Sequence, residues 1–416
     1  MKLSVVAIGD ELLLGQVVDT NSGDIARIIA PAGWSVNDVQ QVHDDAEAII
    51  TAIEKALSST DIVITTGGLG PTKDDITKAT LCRVFGGRLV QNNEVLAHVR
   101  EVFEKRGLHM NKLTETQAMV PDSCVVIANE LGTAPIMWFE KQVDGRRKVL
   151  VAMPGVPFEM RHAFASAVFP RLLEKFGSDC VLQHRTLIVV DITESDLAER
   201  IGSWEDALPT GLHVAYLPNP GYIRLRLDAI GNDADVVSAQ LNEAVAWLLS
   251  NLGAHVIATD DVSPAQLLVN CLEKRGLTVG TAESCTGGEV AHRLTMLAGV
   301  SAVYRGGIVA YSNEVKHNCL GVSNATLEQF GAVSEPVVVE MVQGARRVLG
   351  SDCAIATSGI AGPGGGTPEK PIGTVCIAVA TPHKQMVTTL HLPGNRARVI
   401  DRAATTVLIE LVKLLS

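Results

Sequence analysis

The 416-residue chain has eight cysteines but no Cys-x-x-Cys pair, and eleven histidines but no His-x-x-x-His pair with a Glu between. These absences remove the usual zinc frameworks, a disulfide scaffold and the common metallohydrolase motif, so the cysteines are read as reduced, mostly buried thiols. No apolar run is long enough to cross a bilayer. The first one, residues 3–8, passes straight into Gly9-Asp10-Glu11 without a signal-peptide cleavage region, so a cytoplasmic protein with no membrane partner is expected. Aromatic residues are scarce at 4%, which leaves few platforms for stacked bases, and a net charge of −11 opposes binding to phosphate backbones. No nucleic-acid partner is expected; small-molecule substrates are favoured.

What is present suits a turn-rich α/β enzyme: 47% hydrophobic and 19% charged residues, with 37 glycines. The length exceeds what one core supports and implies two or three domains. Residues 1–172 alternate strand-like runs (3–8, 61–65, 148–153) with helical periodicity, as in residues 46–57 behind the capping candidates Asp44 and Asp45, and predict a parallel sheet with crossover helices. Residues 178–256 read as a small α+β insert, with strands at 186–190 and 223–230 and helices near 195–202 and 236–252. Four Arg or Lys face eleven Asp or Glu there, a local balance of −7. Residues 258–416 open on Ser263-Pro264, an N-cap followed by Pro at the first helical position, and cycle again through strands and helices as an independent α/β domain.

Three loops of this last domain carry chemistry. The strand at 277–282 runs into Glu283-Ser284-Cys285-Thr286-Gly287-Gly288 before helical periodicity resumes at Val290. A serine on such a strand-to-helix turn projects from the sheet edge, where N–H groups of the helix start can stabilise an oxyanion, and Thr286, Gly287 and Gly288 let a substrate approach the backbone. A serine hydroxyl needs a base. Tyr311-Ser312-Asn313-Glu314-Val315-Lys316 supplies a candidate: with Ser312 or Asn313 as cap, Lys316 falls in the first helical turn, where the helix dipole and burial both disfavour an ammonium. Together these would bring a lysine from ~10.4 toward the roughly 7 to 8 that general-base work requires. Tyr311, ending the preceding strand, has a hydroxyl that could orient the lysine or relay a proton. The third loop, Ser358-Gly359-Ile360-Ala361-Gly362-Pro363-Gly364-Gly365-Gly366-Thr367, can cradle a phosphate, with Arg396 as a clamp on the same anion. Taken singly, these features also fit a helix cap, a solvated lysine, a plain turn and an exposed arginine. Their concurrence in one short domain favours the catalytic reading.

In the first domain, Gly9-Asp10-Glu11-Leu12-Leu13-Leu14-Gly15 and Thr66-Gly67-Gly68-Leu69-Gly70-Pro71-Thr72-Lys73-Asp74-Asp75 follow strands and open at the carboxyl edge of the sheet, where open α/β folds bind ligands. Gly67, Gly68 and Gly70 suit an anion. Asp74 and Asp75 would repel it unless a divalent cation lies between, so they are candidate metal ligands; two solvated capping aspartates are the alternative. Pro154-Gly155-Val156-Pro157-Phe158-Glu159 could close the same edge.

Ala282-Glu283-Ser284-Cys285-Thr286-Gly287-Gly288, Tyr311-Ser312-Asn313-Glu314 with Lys316, and Gly359-Ile360-Ala361-Gly362-Pro363 with Lys370-Pro371-Ile372-Gly373-Thr374-Val375 resemble the nicotinamide-nucleotide amidase domain of the CinA family. The N-terminal strings resemble the family's molybdopterin-binding-like domain, and the middle segment resembles its KH-like insert, though without a Gly-x-x-Gly clamp. Leu14, Ile136 and Phe158 are bulkier than the family usually carries at those positions. The resemblance implies a Ser/Lys amidohydrolase that converts nicotinamide mononucleotide to nicotinic acid mononucleotide and ammonia without a cofactor. Ser284 would be the nucleophile, Lys316 the base and Tyr311 its modulator, with Ser358, Gly359, Gly364, Gly365 and Arg396 binding substrate. It further implies an N-terminal ADP-ribose pyrophosphatase using a divalent metal. A homodimer is expected, and the middle segment is assigned a structural or dimer-contact role. The rival readings are a pterin- or nucleotide-binding protein without turnover, and an accessory factor of competence or recombination.

Overall fold

Continuous apolar runs dictate the centre of the first sheet. Lys2–Ile8 and Ile62–Thr66 are buried almost throughout, as strands covered on both faces must be. The computed structural model describes residues 1–72, 75–143, 145–177 and 180–416. They separate into two units, 1–183 with 229–239 and 184–228 with 240–416. The first unit holds a six-stranded sheet in the order Ser35–Val42, Lys2–Ile8, Ile62–Thr66, Arg146–Met153, Ile136–Val143, Val125–Ile127. Alternate residues of the central strands feed two cores. Leu3, Val5, Ile62 and Ile64 pack with Ile25, Ile29, Trp34 and Phe164. Val6, Ile8, Val63 and Leu150 pack with Ile49, Ile53 and Leu57 of the helix Ala46–Ser59, whose buried positions recur at helical spacing. Asp45 caps that helix, accepting from Ala48 N–H at 2.9 Å.

The parallel sheet with crossover helices that the sequence predicts forms the centre, and an antiparallel edge extends it. Its first four strands run parallel, but Ile136–Val143 pairs antiparallel with both Arg146–Met153 and Val125–Ile127. Two residues between Val143 and Arg146 are too few for a crossover and allow only a hairpin.

The four-stranded sheet of the middle segment has the order Leu212–Asn219, Tyr222–Gly231, Val181–Val189, Val256–Ala258. Its helices are Glu194–Glu205, capped by Thr193, and Ala234–Leu252. Trp204 and Trp247 stack with ring centroids 4.5 Å apart.

The C-terminal sheet is also mixed α/β, ordered Tyr304–Val309, Val279–Glu283, Cys353–Gly359, Thr374–Ala380, Gln385–His391, with the first three parallel and the last two antiparallel. Helix Pro264–Arg275 starts under the Ser263 cap with Pro at its first position, as the sequence predicts. The 20-residue helix Arg396–Leu415 is capped by Asn395 and buries Val399, Ala403, Val407, Leu408 and Leu411 in the domain core. Among the described residues no helix is long and apolar enough to cross a membrane.

Candidate active site

Register places the C-terminal loops. Glu283 pairs with Val309 on one side and Thr357 on the other, so Ser284 and Ala310 leave the sheet at its carboxyl edge beside Ser358, which still pairs with Cys376. After Ser284 the chain turns into helix Glu289–Thr295 through Gly287 (φ 63°) and Gly288 (φ 103°), a left-handed pair that residues with a Cβ adopt at a cost. Ser312 caps helix Asn313–Leu320 by accepting from Val315 N–H, which sets Lys316 in the first turn.

The Lys316 side chain is 1% exposed. Its Nζ lies 2.9 Å from Ser284 Oγ, 2.8 Å from the Ala310 carbonyl oxygen and 3.4 Å from that of Tyr311. Burial pushes its pKa below the ordinary lysine value, against a smaller upward pull from Cys285. With two carbonyl oxygens taking its protons, a neutral amine turns its lone pair toward the Ser284 hydroxyl. The neighbouring Cys285 thiol is pushed up to about 12 by burial and stays protonated.

The other candidates divide. Arg396 Nη1 donates to Gly362 O at 2.8 Å and Nη2 to the Tyr311 hydroxyl at 2.9 Å, so one guanidinium ties the tyrosine loop to the glycine loop. The contact of Tyr311 with Lys316 is through its carbonyl, while the hydroxyl of its exposed ring is held by Arg396; that replaces the expected hydroxyl relay. Ser358 is buried and donates to Ala332 O at 2.7 Å, which turns its hydroxyl from a substrate contact into a tether. Gly359 has no room for a Cβ, which would lie 2.9 Å from Thr374 O and 3.0 Å from Cys285 Sγ. Gly364 and Gly365 are exposed on the loop beyond it. Thr286 is buried and donates to the Glu283 carboxylate.

Sequence reading missed Glu283. Its carboxylate, 1% exposed, accepts from Thr286 Oγ1 (2.7 Å) and the N–H groups of Gly288 (3.0 Å), Val290 (3.1 Å) and Ala291 (2.8 Å). The helix-start N–H groups expected to hold an oxyanion are therefore already occupied. The available signal was an acid ending an apolar strand just before a Gly-Gly turn.

In the first unit the glycine loops border a cleft of about 440 Å³ lined by Gly67, Gly68, Asn21, Asp44, Asp75 and Gly155, among others. Asp75 is a staple of its own loop, accepting from Gly70 N–H at 2.6 Å and from Thr72 N–H at 2.9 Å; Gly70 itself is turned to that bond rather than to the cleft. Asp74 lies outside the described residues. Among the described residues no three His, Cys, Asp or Glu side chains gather around one point, so they do not by themselves form a cation cage. Leu14 and Phe158 are exposed and do not line the cleft, while Ile136 is buried in the sheet, so their bulk does not fill it. Behind the Asp75 loop, Lys78 is buried with its Nζ 2.9 Å from Gln117 O, and desolvation brings it to about 8 despite the opposing charge of Asp75.

Three family models match the chain: a probable molybdopterin binding domain over residues 4–174, the damage-inducible protein CinA KH domain over 184–258, and the CinA C-terminal domain over 262–415. A CinA-like protein of Flavobacterium psychrophilum is 38% identical over 99% of this chain and 98% of its own. One from Cytophaga hutchinsonii is 41% identical over 97% and 96%. Among solved structures, the competence/damage inducible protein CihA of Agrobacterium tumefaciens is 38% identical, with a TM-score of 0.36, over 37% of this chain and 94% of its own. Similarity over the whole length, in matching domain order, establishes that the chain belongs to the CinA family.

Proposed function

We propose that the C-terminal domain is a Ser/Lys amidohydrolase that deamidates nicotinamide mononucleotide. The observation that carries this reading is the buried Lys316 amine 2.9 Å from the Ser284 hydroxyl, with main-chain carbonyls as its other partners. Neutral Lys316 takes the Ser284 proton as Oγ forms a bond to the carboxamide carbon, and the carbonyl π pair moves onto oxygen. When the tetrahedral adduct collapses, the C–N bond breaks and Lys316 returns the proton to the leaving nitrogen, which departs as ammonia. Water, deprotonated by the same amine, then adds to the ester and releases nicotinic acid mononucleotide and free Ser284. Arg396, exposed at the mouth, meets the substrate phosphate with the glycine loop. Incubating the purified protein with nicotinamide mononucleotide tests the proposal: ammonia and the acid product should appear in equal amounts, persist in EDTA and vanish in Ser284→Ala. Ammonia release that stops when metal is chelated refutes the dyad.

For the first domain the reading is cleavage of ADP-ribose. The cleft size and the Gly67-Gly68 turn beneath it favour a diphosphate. A divalent cation would offset the carboxylates; with no cage among the described residues, Asp44 and water would hold it together with substrate oxygens. EDTA should abolish this activity alone.

A further inference from the structure

The turn that carries Ser284 is held by a buried charge with an unusual set of partners. Among the described residues no cation pairs with Glu283; its carboxylate is compensated by one hydroxyl and three main-chain N–H groups. The network continues inward, with Thr286 Oγ1 2.7 Å from Thr357 Oγ1, both side chains buried. Thr357 in turn accepts the Ser284 N–H on its carbonyl at 2.9 Å, while Glu283 O accepts from Ala310 N–H at 2.7 Å. Ala310 O is the carbonyl that orients Lys316. One residue thus braces both members of the dyad, through its side chain on the serine side and its main chain on the lysine side.

The bonds also decide which donors remain. In the turn, Ser284 N–H goes to Thr357 O, Gly287 N–H to Ser284 O and Glu289 N–H to Thr286 O, while Glu283 takes Gly288, Val290 and Ala291. Among the described residues, the N–H groups of Cys285 and Thr286 donate to no oxygen. Resting on the amidase reading, we propose that Glu283 is a positioning residue that fixes the turn so that the Cys285 and Thr286 N–H groups receive the oxyanion formed when Ser284 attacks. Adjacent N–H groups following a nucleophile can serve this purpose without moving during the reaction.

The test is Glu283→Gln in the full-length chain. Glutamine keeps the volume but presents an NH2 to part of a ring of donors. Expected are a fall in kcat of roughly 100-fold, the scale of a lost oxyanion donor, with KM for nicotinamide mononucleotide within about twofold. The inflection of the pH profile set by Lys316 should not move. Phosphonylation of Ser284 by a small fluorophosphonate, which needs nucleophile and oxyanion donors but no nucleotide, should slow in parallel. A kcat and labelling rate within about threefold of the parent overturn the proposal, as does a KM that rises in step with the loss of kcat. If Glu283→Gln does not fold, Thr286→Val, which removes one of the four donors and the link to Thr357, should lower both rates about tenfold at unchanged KM, and unchanged rates overturn the proposal. A parent that is labelled at Ser284 but releases no ammonia from the mononucleotide refutes the substrate reading while the labelling rates still decide the role of Glu283. A parent that is not labelled at Ser284 overturns both.

Discussion

Replacing Lys316 with methionine separates catalysis from stability at one position. The amine is 1% exposed and touches Ser284 Oγ and Ala310 O at 2.9 and 2.8 Å. Methionine keeps most of the unbranched side chain, ending one atom short, and removes the base, so turnover of nicotinamide mononucleotide should fall by about 10³-fold or more, the range of a lost general base acting on a nucleophile. The stability terms oppose each other. Ala310 O loses a buried donor, worth about 1 to 3 kcal/mol, whereas the cost of desolvating an amine disappears. The net change at pH 7 should therefore stay within about 2 kcal/mol. Its pH dependence has a definite sign. Burial lowers the folded-state pKa of Lys316, so between that value and the unfolded one of ~10.4 the unfolded chain binds more protons and parental stability rises with pH. The variant lacks this rise and should lose ground to the parent as pH increases. Ammonia release at saturating substrate, with urea unfolding from pH 7 to 9.5, measures both effects. A variant with more than about a tenth of parental turnover, or unfolding curves that move in parallel with pH, would refute the reasoning.

Lys78→Met should behave alike in stability in the first unit. The drop from 10.5 to about 8 corresponds to about 3 kcal/mol, so the parent should gain up to that amount on the variant between pH 8 and 10.5; equal slopes in denaturation against pH would contradict it. Arg396→Met should raise KM about 10- to 100-fold with a smaller change in kcat, since a charge-assisted contact to phosphate is lost, and steady-state kinetics that show the reverse split would remove Arg396 from substrate binding. Gly67→Ala should destabilise the first unit by about 2 kcal/mol or more: at φ 101° a Cβ would lie 2.1 Å from Ile8 O, and a urea midpoint within about 0.5 kcal/mol of the parent would disprove the clash.

Residues 46–57 and 3–8 were legible as a helix and a strand because periodicity and burial agree there, and they fall within Ala46–Ser59 and Lys2–Ile8. The Ser263 and Asp45 caps were legible for the same local reason. The strand Ile136–Val143 was missed because Glu140, Lys141 and Gln142 end it in polar residues, so only part of it looks apolar. At the site, Ser284 and Lys316 were legible because their local loops dictate where they emerge. The partners of Tyr311, Ser358 and Asp75 were not, since each bond depends on which loop lies beside it in three dimensions. Glu283 was overlooked because a buried acid without a basic partner is rare, and only the folded turn shows the N–H groups that compensate it.

The helix that closes the C-terminal core begins with the arginine at the mouth of the site. If Arg396 grips the substrate phosphate as proposed, a helix buried along its length in the domain core carries that grip, rather than a separate lid that could fray alone. Warming should leave affinity nearly constant until the whole domain melts, and then abolish affinity and fold in a single transition.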